Sequence, residues 1–247
     1  MELVSDLQYR MLKRAYPRSP DLLTEEVYEG RSKLFLLGDE LTKRLAGKTV
    51  ADFGCGKGNE AIDMVRRGAK RVIGIDIREH FLDDARRSAE AAGVSDRCMF
   101  ATTIREPVEI ITSIDSFEHF AEPEKILGLM ASLLGPAGEV FFSFGPTWYH
   151  PLGGHLFSMF PWAHLVMTEK ALVRWRGDFR NDGARHFSEV EGGLNQMTIR
   201  RFERLVDGSP FQMESLECVP IGKLRPIHNG LTREFTTALV RGRMKKR

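Results

Sequence analysis

The sequence predicts an α/β protein with a doubly wound parallel sheet covered by helices on both faces. Three observations point there. Short, near-continuous apolar runs alternate with amphipathic runs of helical period between Thr49 and Phe144. The first two amphipathic runs end on a glycine, Gly68 and Gly93. The first apolar run passes into a helix across three glycines, at 54, 56 and 58. Strands that are apolar on both faces belong to sheets buried on both sides. Right-handed crossovers between them give the doubly wound arrangement. A chain of 247 residues is long enough to bury a sizeable core.

The elements follow in order. Residues 1–47 form a helical cap in three pieces. "SDLQYRMLKRAY" opens with Ser5 and Gln8 in capping-box spacing. "SPDLLTEEVYEG" places Ser19 before Pro20, a suitable N-cap and first helical residue. "SKLFLLGDELTKRLAG" stops at Gly47. Residues 48–145 form the alternating core. Its strands are "TVADF", "RVIGIDI", "RCMFAT", "VEIITSID" and "GEVFFSFG"; its helices are "NEAIDMVRRG", "REHFLDDARRSAEAAG" and "PEKILGLMASLLG". The alternation breaks over residues 146–197, a long irregular insertion after strand five. Such connections inside a compact domain are usually functional. Residues 198–247 return as the helix "TIRRFERLVDG" and the strand candidates "FQMESLECVPI" and "TREFTTALVRG". The last residues, "RGRMKKR", read as a solvated, frayed terminus.

Composition excludes several classes. A net charge of +2, with no broad basic stripe, argues against a nucleic-acid partner. "MELVSDLQYR" lacks the basic start and apolar centre of a signal peptide. No run approaches the roughly 20 apolar residues of a membrane span. Cys55, Cys98 and Cys218 are too scattered for a disulfide framework or a metal pair. A soluble, cytoplasmic protein is expected.

Glycines ahead of a helix permit positive φ and let a ligand approach the backbone. The helix start adds unpaired N–H groups and the positive end of a dipole. Asp52 lies two residues before Gly54, and Asp76 ends the next strand, where an acid can accept both hydroxyls of a ribose. Together these predict an adenosine-bearing ligand. The dinucleotide spacing G-x-G-x-x-G is not met, because Asn59 stands at its third glycine.

The pattern D-x-G-x-G-x-G of Asp52, Gly54, Gly56 and Gly58 resembles the class I S-adenosylmethionine-dependent methyltransferases. The stretch "VEIITSIDSFEHFAEPEKILGLMASLLGPAGEVFFSFGP" is similar to that family from strand four to strand five, with Glu118 and His119 as its E-H pair and Glu109 where an aspartate is usual. The resemblance runs from Lys48 to Pro146. It implies a Rossmann-like sheet of seven strands, the last antiparallel, and S-adenosyl-L-methionine as cofactor. By that resemblance Asp52, Gly54, Gly56 and Gly58 surround the methionine part, and Cys55 contributes backbone. Asp76 binds the ribose and Ile77 packs on adenine. Asp115 and Ser116 lie near the sulfonium. The family commonly has an acid after strand three; "FATTIRE" offers Thr102 and Thr103 there, so Thr102 is taken for the adenine amino group. Glu118 and His119 are read as fixing the turn after strand four.

The activated methyl group comes with the cofactor, so the protein must mainly bind and align. A hydroxyl acceptor also wants a base, most often histidine. The insertion "GPTWYHPLGGHLFSMFPWAH" leaves strand five beside the expected methyl donor. His155 and His150 are its base candidates. Trp148, Tyr149, Phe157 and Trp162 are its substrate-lining candidates, which favour an apolar or ring-bearing small molecule. The same apolar stretch would allow weak contact with a membrane surface or a partner. His150, His155 and His164 have no carboxylate cluster among them, and no metal is expected. The reading is therefore a single-domain methyltransferase of a small molecule, with oxygen as the first guess for the acceptor atom. The alternatives are a non-catalytic scaffold that kept the fold, and an aminopropyltransferase-like enzyme.

Overall fold

The computed structural model describes residues 2–17, 32–180, 182–190 and 192–247. The second expected cap helix, residues 19–30, lies outside the described residues. Among those described, the strands are β1 (Thr49–Phe53), β2 (Arg71–Ile75), β3 (Cys98–Ala101), β4 (Val108–Ile114), β5 (Leu134–Phe144), β6 (Phe211–Pro220) and β7 (Thr237–Lys246). They form one seven-stranded sheet in the order β3-β2-β1-β4-β5-β7-β6. The first five pair in parallel, and β7 runs antiparallel between β5 and β6. This is the Rossmann-like arrangement expected.

The helices are α1 (Glu2–Ala15), α2 (Asp39–Arg44), α3 (Asn59–Arg66), α4 (Glu79–Ala91), α5 (Pro123–Leu133), α6 (Ala163–Val166), α7 (Glu169–Gly177), α8 (Ile199–Asp207) and α9 (Arg233–Thr236). Each crossover helix presents one apolar stripe to the sheet. Leu82, Ala85 and Ala89 of α4 join Val72, Cys98 and Phe100 on one face. Leu127 and Met130 of α5 and Phe202 of α8 join Ile111, Phe142 and Phe144 on the other. Strand order reverses direction between β1 and β4, so their carboxyl ends diverge into a crevice, the usual ligand position in open α/β sheets. No helix of the described residues is long and apolar enough to cross a membrane.

The structure corrects three local expectations. Ser5 and Gln8 do not cap α1, which begins three residues before Ser5. Gln8 Oε1 instead accepts from the Thr168 N–H at 2.8 Å and the Thr168 hydroxyl at 2.8 Å, and Ser5 joins the same hydroxyl at 3.0 Å. The run "SKLFLLGDELTKRLAG" is not one helix. It breaks at Gly38, whose φ of 75° ends a 3-10 turn at Leu34–Leu37 before α2 starts. The basic end is not a frayed tail. Residues through Lys246 belong to β7, where Arg243 pairs with Glu139 and Lys245 Nζ lies 2.7 Å from Glu214.

The insertion contains more order than its sequence shows. Thr168 caps α7 by accepting from the Ala171 N–H. α7 packs on α1, and Leu12, Phe157, Leu172, Trp175 and Phe187 form a separate apolar cluster between them. The Trp175 indole N–H donates to the Tyr16 carbonyl at 2.9 Å. Much of the insertion's aromatic content is thus the core of a lobe built from the two ends of a long sequence separation.

Candidate functional site

The loop after β1 shows what its glycines do. Gly54 has φ 82°, and the N–H groups of Gly54 and Cys55 both donate to the Ile75 carbonyl, at 2.8 and 3.0 Å. A Cβ on Gly54 would stand 2.2 Å from the Ser116 hydroxyl oxygen. A Cβ on Gly58, at φ 79°, would stand 2.8 Å from the Phe100 ring and 2.9 Å from Ala85. These two glycines let protein elements close on each other. Gly56, at φ 49°, has nothing within 4 Å of such a Cβ. It alone opens outward, and it sits just before α3, whose N-cap residue Gly58 offers no side-chain cap. The first turn of α3 thus receives no cap from the side chain of its N-cap residue. Cys55 is buried, and burial pushes its thiol well above the ordinary range, so it is a backbone element rather than a nucleophile.

Asp76 stands just past β2. Its Oδ2 accepts from the Gly56 N–H at 3.0 Å, and its Oδ1 accepts from the Arg78 N–H at 3.0 Å. The Arg78 guanidinium adds one bond to each oxygen, both at 3.0 Å. Burial raises this carboxyl, and the Arg78 bonds and charge outweigh burial, holding it below its ordinary value. Ile77 beside it is 90 % exposed. Thr102 is exposed just past β3.

Asp52 ends up inside the sheet, 2 % exposed. Its Oδ1 accepts from the Thr112 hydroxyl at 2.7 Å, while its buried Oδ2 has no partner. Burial pushes its carboxyl up to about 7, with the Glu60 charge adding to the shift. After β4, Asp115 adopts φ 49° and pairs with Lys33 Nζ at 2.8 Å. Ser116 is buried and donates to the Ile114 carbonyl. Glu118 accepts from the Gly145 N–H at 3.1 Å through Oε1, its Oε2 is unpartnered, and burial pushes it up to about 8.

The insertion histidines are spread. His150 Nδ1 accepts from the Leu152 N–H at 2.9 Å, so its lone pair is spent, and burial lowers it to about 4. His155, at φ 49°, is lowered to about 3 by burial and by neighbouring His119, and its Nε2 is buried without a partner. Its ring meets that of His119 edge-on at 5.3 Å. Phe157, 1 % exposed, packs within the α1–α7 cluster. Trp148 packs against the same cluster. Tyr149 and Trp162 are partly exposed and adjacent, with the Trp162 indole N–H donating to the Tyr149 carbonyl at 2.9 Å. Among the described residues, no group of three histidine, cysteine or acidic side chains could hold a metal ion.

Sequence reasoning missed Lys33, Arg78 and Asn195. Lys33 comes from the cap and also donates its backbone N–H to Glu60 Oε1 at 2.8 Å. Asn195 donates its side-chain amide to the Phe117 and Phe120 carbonyls, at 2.6 and 2.8 Å, and its N–H to the Glu118 carbonyl. No spacing in the sequence marks these contacts. The two-residue step from Asp76 to Arg78 was the only local signal.

The site thus gathers Asp52, Glu60, Asp76, Asp115 and Glu118 around two cations, Lys33 and Arg78. This set of acids, with Asp52 Oδ2 left without a partner, suits a cationic ligand. An α-ammonium group has the charge and the donors that Asp52 Oδ2 lacks. The residues present therefore fit an adenosyl amino acid: ribose at Asp76, adenine over Ile77, backbone donors at Gly56 and α3, and the ammonium toward Asp52. The sign of the pH effect follows. Asp52 is largely protonated below pH 7 and must ionise to receive an ammonium. Affinity for S-adenosylhomocysteine is expected to rise several-fold between pH 6 and 8, with proton release on binding below pH 7; calorimetry in buffers of different ionisation enthalpy reads both. Asp52→Asn should flatten this dependence.

The fold and this site define a class I S-adenosylmethionine-dependent methyltransferase domain. Residues 28–215 match the family described as "Methyltransferase domain", and the chain belongs to that family of S-adenosylmethionine-dependent enzymes. It is similar to a ubiquinone biosynthesis O-methyltransferase of Neisseria meningitidis, 39% identical over 106 residues, which are 40% of this chain and 44% of that protein. It is also similar to a ribosomal protein L11 methyltransferase of Photobacterium profundum, 36% identical over 100 residues, 40% of this chain and 34% of that one. The match spans less than half the length of these relatives. A solved S-adenosylmethionine-dependent methyltransferase from Mesorhizobium loti shares the fold at a TM-score of 0.53 and 18% identity, covering 82% of this chain and 92% of that one.

Proposed function

We propose that the protein transfers the methyl group of S-adenosylmethionine to a hydroxyl oxygen of a small, ring-bearing molecule. The bound cofactor supplies an activated methyl group on a sulfonium. The chain's own residues supply the rest. Asp76 and Ile77 fix the adenosine, Gly56 and the open start of α3 receive the carboxylate, and Asp52 holds the ammonium. Asp115 and Ser116 define the wall beside the reacting carbon, and Lys33 holds Asp115 in place.

The observation that carries the acceptor class is the aromatic surface beyond β5. An open groove of about 590 Å³ is lined by Thr198, Arg200, Arg201, Arg204 and Glu234 on its polar side and by Tyr149, Leu231 and Phe235 on its apolar side. The Tyr149 and Phe235 rings face each other at 5.3 Å. Trp162 borders Tyr149 through its indole bond. A planar ring fits such a wall, since aromatic faces prefer offset or tilted contact. The similarity to an O-methyltransferase supports the oxygen acceptor. The similarity to an L11 methyltransferase supports a second reading, a protein acceptor.

Radiolabelled S-adenosylmethionine, incubated with the protein and a cell extract split into small-molecule and protein fractions, separates these. Label in phenolic or other hydroxyl-bearing metabolites is expected. Label only in the protein fraction would replace the proposal with the second reading. Binding of S-adenosylhomocysteine without label in either fraction would favour a scaffold that kept the fold.

A further inference from the structure

The base that the sequence points to first, His155, has its Nε2 buried without a partner, and a second imidazole, His119, stands against its ring. Resting on the O-methyl reading above, we propose that His119 is the proton acceptor for the hydroxyl of the acceptor molecule, with its ring fixed between the Gly193 carbonyl and the edge of His155.

Position comes first. The His119 N–H donates to the Ser116 carbonyl at 2.9 Å, closing a turn directly after β4. Ser116 is the residue whose hydroxyl abuts Gly54 of the cofactor loop. His119 therefore stands one turn past the carboxyl end of β4, and the residue is partly exposed.

The tautomer comes second. His119 Nδ1 lies 2.8 Å from the Gly193 carbonyl oxygen. A carbonyl only accepts, so Nδ1 carries the proton and Nε2 keeps the lone pair. This is the form a general base requires. His150 is arranged the other way, with its Nδ1 lone pair already taken by a backbone N–H. His155 has a buried Nε2 that nothing reaches.

Rigidity comes third. The segment that supplies the Gly193 carbonyl is stitched to the His119 turn by Asn195, through three hydrogen bonds to the carbonyls of Phe117, Glu118 and Phe120. Gly193 has φ 64°, and its N–H donates to the Val190 carbonyl. The end of the insertion thus aims the ring. A base held this way pays little to reach its proton.

The charges around the ring agree with the role. Burial lowers the His119 imidazole, the Gly193 and Gly192 carbonyls and the Asp115 charge raise it, and Arg78 lowers it. The net direction is down, so the ring is neutral at pH 7 and free to accept. Glu118 turns its carboxyl away, toward the Gly145 N–H. In the step, the hydroxyl proton moves to His119 Nε2 while the oxygen electron pair forms the bond to the methyl carbon. The carbon–sulfur bond breaks with its pair left on sulfur. The imidazolium then returns its proton to water, and the sum is a methyl ether, a thioether and one proton.

The test uses the full chain with uniformly nitrogen-15-labelled histidine. Heteronuclear NMR, with the His119 signals assigned by their loss in His119→Gln, is expected to show a protonated Nδ1 and a bare Nε2. The reverse tautomer would overturn the proposal without any turnover measurement. Calorimetry should show S-adenosylhomocysteine affinity within about twofold in His119→Gln. Single-turnover transfer to the hydroxyl-bearing extract fraction should fall by about 10² to 10⁴, the usual span for a positioned base. His155→Gln should lose less. Unchanged turnover in His119→Gln would sink the base and leave the O-methyl reading standing. Transfer by the wild type to protein only would sink both, and the tautomer and affinity readouts would tell the two failures apart.

Discussion

Replacing Asp76 by alanine is expected to weaken S-adenosylhomocysteine binding about 100-fold, close to 3 kcal/mol at 1.4 kcal/mol per factor of ten. That size follows from what one carboxylate does here. Its two oxygens accept four hydrogen bonds in the ligand-free protein, from Gly56, from the Arg78 backbone and twice from the Arg78 guanidinium. A carboxylate has about four acceptor positions, so the set is full. A ribose diol can enter only by taking the places of the guanidinium bonds, while the backbone bonds stay. Arg78 has somewhere to go, because its guanidinium already lies 4.1 Å from the centre of the Phe81 ring. Alanine at 76 removes the ribose acceptor and also the strut that holds Gly56. Each charge-assisted bond is worth roughly 1.5–3 kcal/mol. Asp76→Asn separates the two losses, since its side-chain oxygen can still receive the Gly56 N–H. It should recover part of the affinity. Calorimetric titration of both variants checks this, and wild-type affinity in Asp76→Ala would remove the ribose from that position.

The same residues show which parts of the molecule were legible beforehand. The β1 loop was legible because its information is local. Three glycines in a seven-residue span, two acids at strand ends and a helix start are short-range features with few structural solutions. Even there the reason was incomplete. Gly54 and Gly58 are glycine because Ser116 and Phe100 crowd them, and those neighbours lie far along the chain. Lys33 against Asp115 and Gln8 against Thr168 were invisible for that reason, being 82 and 160 residues apart. From sequence the insertion reads as irregular and substrate-facing because its aromatics have no helical or strand period. Phe157 and Trp175 spend that aromatic surface on packing under α1, and such a pairing leaves no periodic mark in either segment. Of the expected lining, Tyr149 and Trp162 stay on the open surface and Phe157 is buried, as is Nε2 of the base candidate His155.

The C-terminal strand carries the second large effect. Gly242 sits in the middle of β7, opposite Phe142 of β5 on one side and Leu216 of β6 on the other. A Cβ there would lie 2.1 Å from the Ser215 carbonyl oxygen and 2.9 Å from the Phe142 ring. The ring could shift, but the carbonyl is strand backbone, held beside an existing register irregularity between Met213 and Ser215. Gly242→Val therefore has to part β6 from β7 or push β7 off β5. Overpacking of this kind costs about 1–3 kcal/mol and more where backbone must move. For a chain of this size each kcal/mol lowers Tm by roughly 2–4 °C. A fall of about 10 °C is expected by calorimetry or circular dichroism. The β1–β4 crevice lies two strands away from β7, so S-adenosylhomocysteine affinity of the folded fraction should hold at low temperature. The sequence reading makes the opposite prediction, because substitution in a frayed basic tail should leave Tm within a degree or so. The two outcomes differ because of one physical fact about alternation. In "VRGRMKK" Arg241, Arg243 and Lys245 point along one face of a strand whose other face buries Val240 and Met244, and Arg243 and Lys245 are neutralised by Glu139 and Glu214. Basic residues at every second position look like a solvated tail when only their charge is counted. Set against acidic residues on both neighbouring strands, they are the polar face of an internal strand.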